Sequence, residues 1–164
     1  MALPAAAVSA WRDPERWSAL REPAGCPICR DGPFDVVAEL ESAWVTMGER
    51  SPVRGYACLV LRRHAIELHD LSDAEVAAFM RDAQRLSRAV AVTTGAVKLN
   101  YEVHGNTIPH LHLHVFPRYV GDPFEGRPID PKSVTWPVYA PGEFDILRAR
   151  VVAELGTSAR TATD

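Results

Sequence analysis

Three cysteines in 164 residues, an odd number, argue against a framework of disulfide bridges. Basic residues are not in excess either: 18 Lys and Arg stand against 21 Asp and Glu, for a formal net charge of -3. A nucleic-acid duplex is therefore not the expected partner. No apolar run approaches the roughly 20 residues that span a bilayer, so no membrane is expected. The apolar start, Met1 to Ala10, lacks a basic leading segment and carries Pro4, so it does not read as a signal peptide. The expected compartment is the cytoplasm. Internal repeats and strand-helix-strand alternation are also missing, which points away from solenoids and parallel sheets.

What the chain does have is 47% hydrophobic residues, enough for one domain with a core of its own. Residues 1 to 22 read as a peripheral N-terminal extension in which Asp13 caps and Pro14 opens a short helix. The domain proper is expected over 23 to 156, with a tail over 157 to 164. Two short strands are expected between Phe34 and Thr46, followed by a turn at Ser51 to Gly55 and a buried strand from Tyr56 to Leu61.

Ser72 and Glu75 form a capping box, and Leu71 with Val76 a hydrophobic staple, at the head of a long helix. Its apolar stripe runs through Val76, Phe79, Met80, Ala83, Leu86 and Val90, and Gly95 stops it. Strand character returns from Ala96 to Val103, His104 to Asn106 make a turn, and a second strand follows. After Arg118 the chain turns Pro-rich over 119 to 141, before a last helix from about Gly142 to Leu155. The pattern predicts an α+β fold: an antiparallel β-meander sheet of about five strands with one long packed helix and a C-terminal helix.

Within the second strand, His110, His112 and His114 alternate with Leu111, Leu113 and Val115. Alternation in a strand puts the imidazoles on one face and the aliphatic side chains on the other. Three imidazoles where Val or Ile would bury better suggest chemistry, because neutral imidazole is polar and nucleophilic near pH 7. The pairing expected with Ala96 to Val103 brings Asn100, Asn106 and Thr107 near that face. Cys26-Pro-Ile-Cys29 taken alone is compatible with metal binding, redox chemistry or a simple loop.

The run from Asn100 to Arg118, together with Gly105 and an upstream strand ending in Arg62-Arg63-His64, resembles the histidine triad (HIT) family. The closest flavour is the bacterial diadenosine polyphosphate hydrolase-like branch. The resemblance covers residues 24 to 120 and implies nucleotidyl transfer, by hydrolysis or to another acceptor, at the α-phosphorus of a nucleoside phosphate ester, anhydride or phosphoramidate. It implies His112 as nucleophile, supported by the backbone carbonyl of His110, and an adenine-containing nucleotide as substrate. His114 then donates to phosphate oxygens, and Thr107, Asn100 and Asn106 occupy substrate-binding positions. Glu49 falls closest to the acidic position that contacts the ribose, although the segment is one residue short there.

The resemblance further implies structural zinc on Cys26, Cys29, His64 and His110, a closed tetrahedral set, and a homodimer. One departure stands out: where many relatives carry Gly-His before the basic run, this chain has Gly55-Tyr56, and Tyr56 is expected as a packed aromatic. That departure leaves room for a catalytically weak nucleotide-binding regulatory module. A third reading places all three triad histidines on one catalytic metal.

Overall fold

The computed structural model describes residues 9–130 and 133–158. The first eight residues of the extension lie outside them, as does the tail beyond Ser158. Five antiparallel strands form one sheet: β1 (Val36–Glu39), β2 (Ala43–Thr46), β3 (Ala57–Leu61), β4 (Lys98–Val103) and β5 (His112–Arg118). Their order is β1-β2-β3-β5-β4, so the first three strands meander and β5 then inserts between β3 and β4. The helices are α1 (Pro14–Arg21), α2 (Pro27–Asp31), α3 (Asp73–Thr94) and α4 (Glu143–Ser158). This is the expected α+β architecture.

Helix α3 begins where its capping box demands: the Ser72 side chain accepts from the Glu75 amide, and the Glu75 side chain accepts from the Ser72 amide. It ends at Gly95, whose left-handed φ of 66° suits a residue without a Cβ. Phe79, Ala83, Leu86 and Val90 are buried with Leu59, Leu61, Leu113 and Val115 of the sheet. Met80, expected in the same stripe, is 48% exposed. It lies on the flank of the stripe beside the edge of the sheet, and with Tyr101 it borders a surface cavity. Leu147, Val151 and Leu155 of α4, at four-residue intervals, complete the core. No described helix is long and apolar enough to cross a membrane.

Fully buried Asp82 ties α3 to the β1-β2 turn. Its carboxylate accepts from both the amide and the hydroxyl of Ser42, each at 2.7 Å. Two such bonds offset the cost of taking a carboxylate out of water.

Candidate active site and metal centre

The sheet gives β5 two faces with separate tasks. Leu113 and Val115 enter the core under α3, while His112, His114 and Phe116 lie on the opposite face. His110 precedes the strand proper and is 1% exposed. Its backbone has already turned, with its own amide bonded to the Ile108 carbonyl at 2.8 Å.

His110 reaches into a cluster with Cys26, Cys29 and His64, whose ligand atoms all lie within 4.8 Å of one another. The Cys26 sulfur is 3.4 Å from His110 Nδ1, and the Cys29 sulfur is 3.1 Å from His64 Nδ1 and 3.6 Å from His110 Nδ1. In a tetrahedral zinc site the ordinary bond lengths place sulfur and nitrogen about 3.5 Å apart. Both imidazoles are prepared for a cation. His110 Nε2 donates to the Leu61 carbonyl at 2.7 Å and His64 Nε2 donates to the Arg21 carbonyl at 2.8 Å. A carbonyl can only accept, so the remaining lone pair of each ring is on Nδ1, inside the cluster.

Lost solvation, with the neighbouring Cys26 sulfur, pushes the Cys29 thiol up to about 11. A divalent cation supplies the positive charge that releases such protons. The donor set therefore fits zinc and fills four positions. Cys26 caps α2 and Pro27 opens it, which brings Cys29 back beside Cys26. The extension expected to be peripheral reaches this cluster through the Arg21 carbonyl. The close return of the chain requires Gly25, where a Cβ would lie 1.9 Å from the Ala19 carbonyl oxygen.

His112 Nδ1 donates to the His110 carbonyl at 2.6 Å. Its Nε2 consequently keeps the lone pair. Burial lowers its pKa, as does the charge of His104, against the bond to His110, so the ring tends to stay neutral. His114 is pushed down to about 4, by burial first and then by His112 and His104. Its Nδ1 lies 2.7 Å from the hydroxyl of Tyr56, the residue just before the neighbouring strand β3. Burial also raises Tyr56, which therefore holds its proton and can donate it. Tyr56 does pack as an aromatic, stacked on Phe116 at 5.0 Å between ring centres, but it has this polar contact too.

A cavity of about 200 Å³ opens at His112, walled by Ile28, Phe34, Thr46, Cys58, Val60 and Ile108. Burial pushes the Cys58 thiol up to about 12, so it is a protonated wall and no nucleophile. On the other flank of β5, Glu102 stands directly opposite His114. His104 Nε2 is 2.9 Å from the Glu102 carboxylate, and the ring centre of His104 is 5.3 Å from that of His114. The sequence places His104 in a turn and gives Glu102 no role of its own. The signal is the spacing Glu102-x-His104 across the end of β4, readable only once the register of β4 on β5 is known.

The other expected site residues are dispersed. Asn106 and Thr107 are exposed at the rim before the triad. Asn100 lies on the histidine face but opposite Phe116, and its Oδ1 accepts from Arg118 at 2.6 Å. Arg118 is buried and paired with Asp122 at 2.9 Å, so it braces the loop after β5. Glu49 borders a separate cavity with Arg50, Trp136, Pro137 and Tyr139.

Known proteins resemble this chain in sequence and fold. A HIT domain model matches residues 30–121. Among curated proteins, adenosine 5'-monophosphoramidase HNT1 of Saccharomyces cerevisiae is 23% identical over 100 residues, covering 58% of this chain. The chain spans 63% of the length of that relative. Histidine triad protein blr8122 of Bradyrhizobium japonicum superposes with a TM-score of 0.65 at 28% identity, covering 73% of this chain and 89% of its own. A zinc-bound histidine triad family protein of Mycobacterium smegmatis has a TM-score of 0.63 at 23% identity, covering 85% of this chain and 99% of its own. With the domain match spanning more than half of its residues, and the three alternating histidines inside it, the chain belongs to the HIT family.

Proposed function

We propose that the protein is a nucleotide hydrolase or nucleotidyl transferase acting at the α-phosphorus of an adenine-containing nucleotide ester, anhydride or phosphoramidate. The observation that carries this reading is the bond from His112 Nδ1 to the His110 carbonyl, which leaves Nε2 as an unprotonated nucleophile beside an apolar-walled cavity. His112 Nε2 attacks phosphorus, the leaving group departs, and water or another acceptor releases the nucleotide from the histidine. With Tyr56 donating to Nδ1, His114 carries its proton on Nε2 and offers it to a phosphate oxygen as charge develops. The name of the yeast relative favours an adenylate with an amine leaving group.

Zinc on Cys26, Cys29, His64 and His110 would cross-link the extension to the segment ahead of β5, and its chemistry there is structural. The carbonyl that orients His112 belongs to one of those four residues, so the cluster holds the nucleophile in place. A homodimer through α3 and β4 suits the exposed Met80, Tyr101 and Val103 along that edge. The cytoplasmic, water-accessible setting expected from the sequence completes the proposal.

The test is trapping of a labelled adenylate on the protein. Wild type should give an acid-labile, base-stable adduct and turn over AMP esters, and His112→Gly should do neither while remaining folded. Full turnover by His112→Gly would overturn the mechanism.

A further inference from the structure

The cysteine-histidine cluster and the cavity at His112 share one short element. Cys26 caps helix α2 and Cys29 lies within it, while Pro27, Ile28 and Asp31 of the same helix, with residues 32–34 beyond it, make one wall of the cavity. The facing wall is sheet: Thr46 of β2, then Cys58 and Val60 of β3, beside His112.

The two walls are held very differently. Cys58 and Val60 are buried in a strand paired on both sides. No residue of α2 is buried, and none belongs to the core under α3. Phe34, at the end of the α2 wall, is 84% exposed. Five residues are too few for a helix to keep its shape in water unaided. Among the described residues, the side-chain hydrogen bonds that tie 26–34 to the sheet side of the molecule are those of the Cys26 and Cys29 sulfurs with His110 and His64. On the N-terminal side, the Cys26 amide donates to the Glu22 carbonyl at 3.0 Å, but Glu22 ends an extension whose helix α1 has no buried residue either. That extension is itself tied through the Arg21 carbonyl to His64, again a member of the cluster. On the C-terminal side, the next bond to the sheet is from the Met47 amide to the Asp35 carbonyl, at 3.0 Å. The arm between these points is a locally weak part of the fold. Thiols hold imidazoles loosely, whereas bonds to a divalent cation are strong enough to order chain that is unfolded without it.

We infer that metal on Cys26, Cys29, His64 and His110 builds the nucleoside-binding wall of the cavity, so that zinc and nucleotide bind cooperatively at neighbouring sites. The inference rests on the nucleotidyl-transfer reading in taking this cavity as the nucleoside's place. Cys26 and Cys29 are positioning residues, and Ile28 is the side chain that they carry to the ligand. Without metal the arm leaves the sheet and the cavity loses one side. The nucleotide must then order the arm itself, and the entropy of doing so weakens its binding. By linkage, nucleotide tightens metal binding by the same factor that metal tightens nucleotide binding. This coupling is separate from the orientation of His112 through the His110 carbonyl, because it acts on a part of the ligand that never meets His112.

The experiment titrates AMP and adenosine by calorimetry into the full chain, zinc-loaded and stripped by a chelator. Removing zinc should weaken both ligands about 10-fold or more, within the usual range for coupled sites, and saturating AMP should lower the zinc dissociation constant by the same factor. Far-UV circular dichroism should change little, because the core of the sheet with α3 and α4 contains no residue of the arm. Ile28→Ala, with zinc still bound, should weaken AMP and adenosine alike. Equal affinity with and without zinc would overturn the inference. So would a zinc dependence shown by AMP and not by adenosine, which would place the coupling on the phosphate at His112, or global unfolding on metal removal, which would assign it to the whole fold. Those outcomes leave the nucleotidyl-transfer reading standing. Zinc-loaded wild type that binds neither AMP nor adenosine would overturn that reading of the cavity and this inference with it.

Discussion

Acidification should weaken this fold through His114 by an amount that the structure sets. Its pKa is pushed down to about 4 in the folded chain, from an ordinary 6.5. The unfolded chain therefore binds the proton first as pH falls, and stability is lost between pH 6.5 and about 4 and changes no further below that. Between pH 7.5 and 4.5 the loss from this one ring is about 2.5 kcal/mol, since each pKa unit corresponds to about 1.4 kcal/mol. With a urea dependence of roughly 2 kcal/mol per molar for a domain of this size, the unfolding midpoint should drop by about 1 M more in wild type than in His114→Gln. The comparison is made at both pH values with the same metal content, so that contributions shared by the two proteins cancel. Burial is the first cause of the shift, and the neighbouring His112 and His104 add to it. Equal pH sensitivity in wild type and His114→Gln would refute the claim that a buried, neutral His114 is part of the folded state.

Tyr56→Phe removes the donor to His114 Nδ1, and leaving a buried acceptor unpaired costs about 1–3 kcal/mol. That loss should appear in folding stability, kcat/KM should fall as well, and nitrogen NMR should show a changed distribution of the His114 proton between Nδ1 and Nε2. Cys29→Ala should lower bound zinc, measured by metal analysis, from about one ion per chain to a small fraction, and should lower the thermal transition. A wild type that binds no zinc when supplied with it would contradict the reading of the cluster. Phe79→Ala should cost about 3–5 kcal/mol in chemical denaturation, because Phe79 is fully buried where α3 crosses the sheet.

Local signals in the sequence identify the elements well, and cross-strand relations less so. The capping box at Ser72, the stop at Gly95 and the aliphatic alternation of β5 each depend on residues a few positions apart, and each appears as expected. Tyr56 was harder to read. Its contact with His114 spans 58 positions and depends on β3 lying directly beside β5. The sequence neighbours of Arg118 say nothing about its burial, and in the fold Asp122 claims it. The Cys26 and His110 pairing crosses 84 residues and is legible only through family resemblance. Glu49 shows the limit of that resemblance: where the segment is one residue short, alignment can nominate a residue that the fold assigns to another cavity.

The three histidines share a spacing and differ in what each ring nitrogen meets. A neutral imidazole has one donor and one acceptor, so fixing one nitrogen determines the other. The Leu61 carbonyl takes the Nε2–H of His110 and turns its Nδ1 lone pair toward the cysteines. The His110 carbonyl takes the Nδ1–H of His112 and leaves Nε2 nucleophilic. Those two partners are backbone atoms, which point mutation cannot remove. The partner of His114 is a side chain, and it must donate where the others accept, since only a donor at Nδ1 puts the ring proton on Nε2. Tyrosine satisfies that demand, as would a histidine with its proton directed at the same nitrogen. The departure at Tyr56 is thus compatible with the same proton placement, and the requirement at this position is for a hydrogen-bond donor at the right distance.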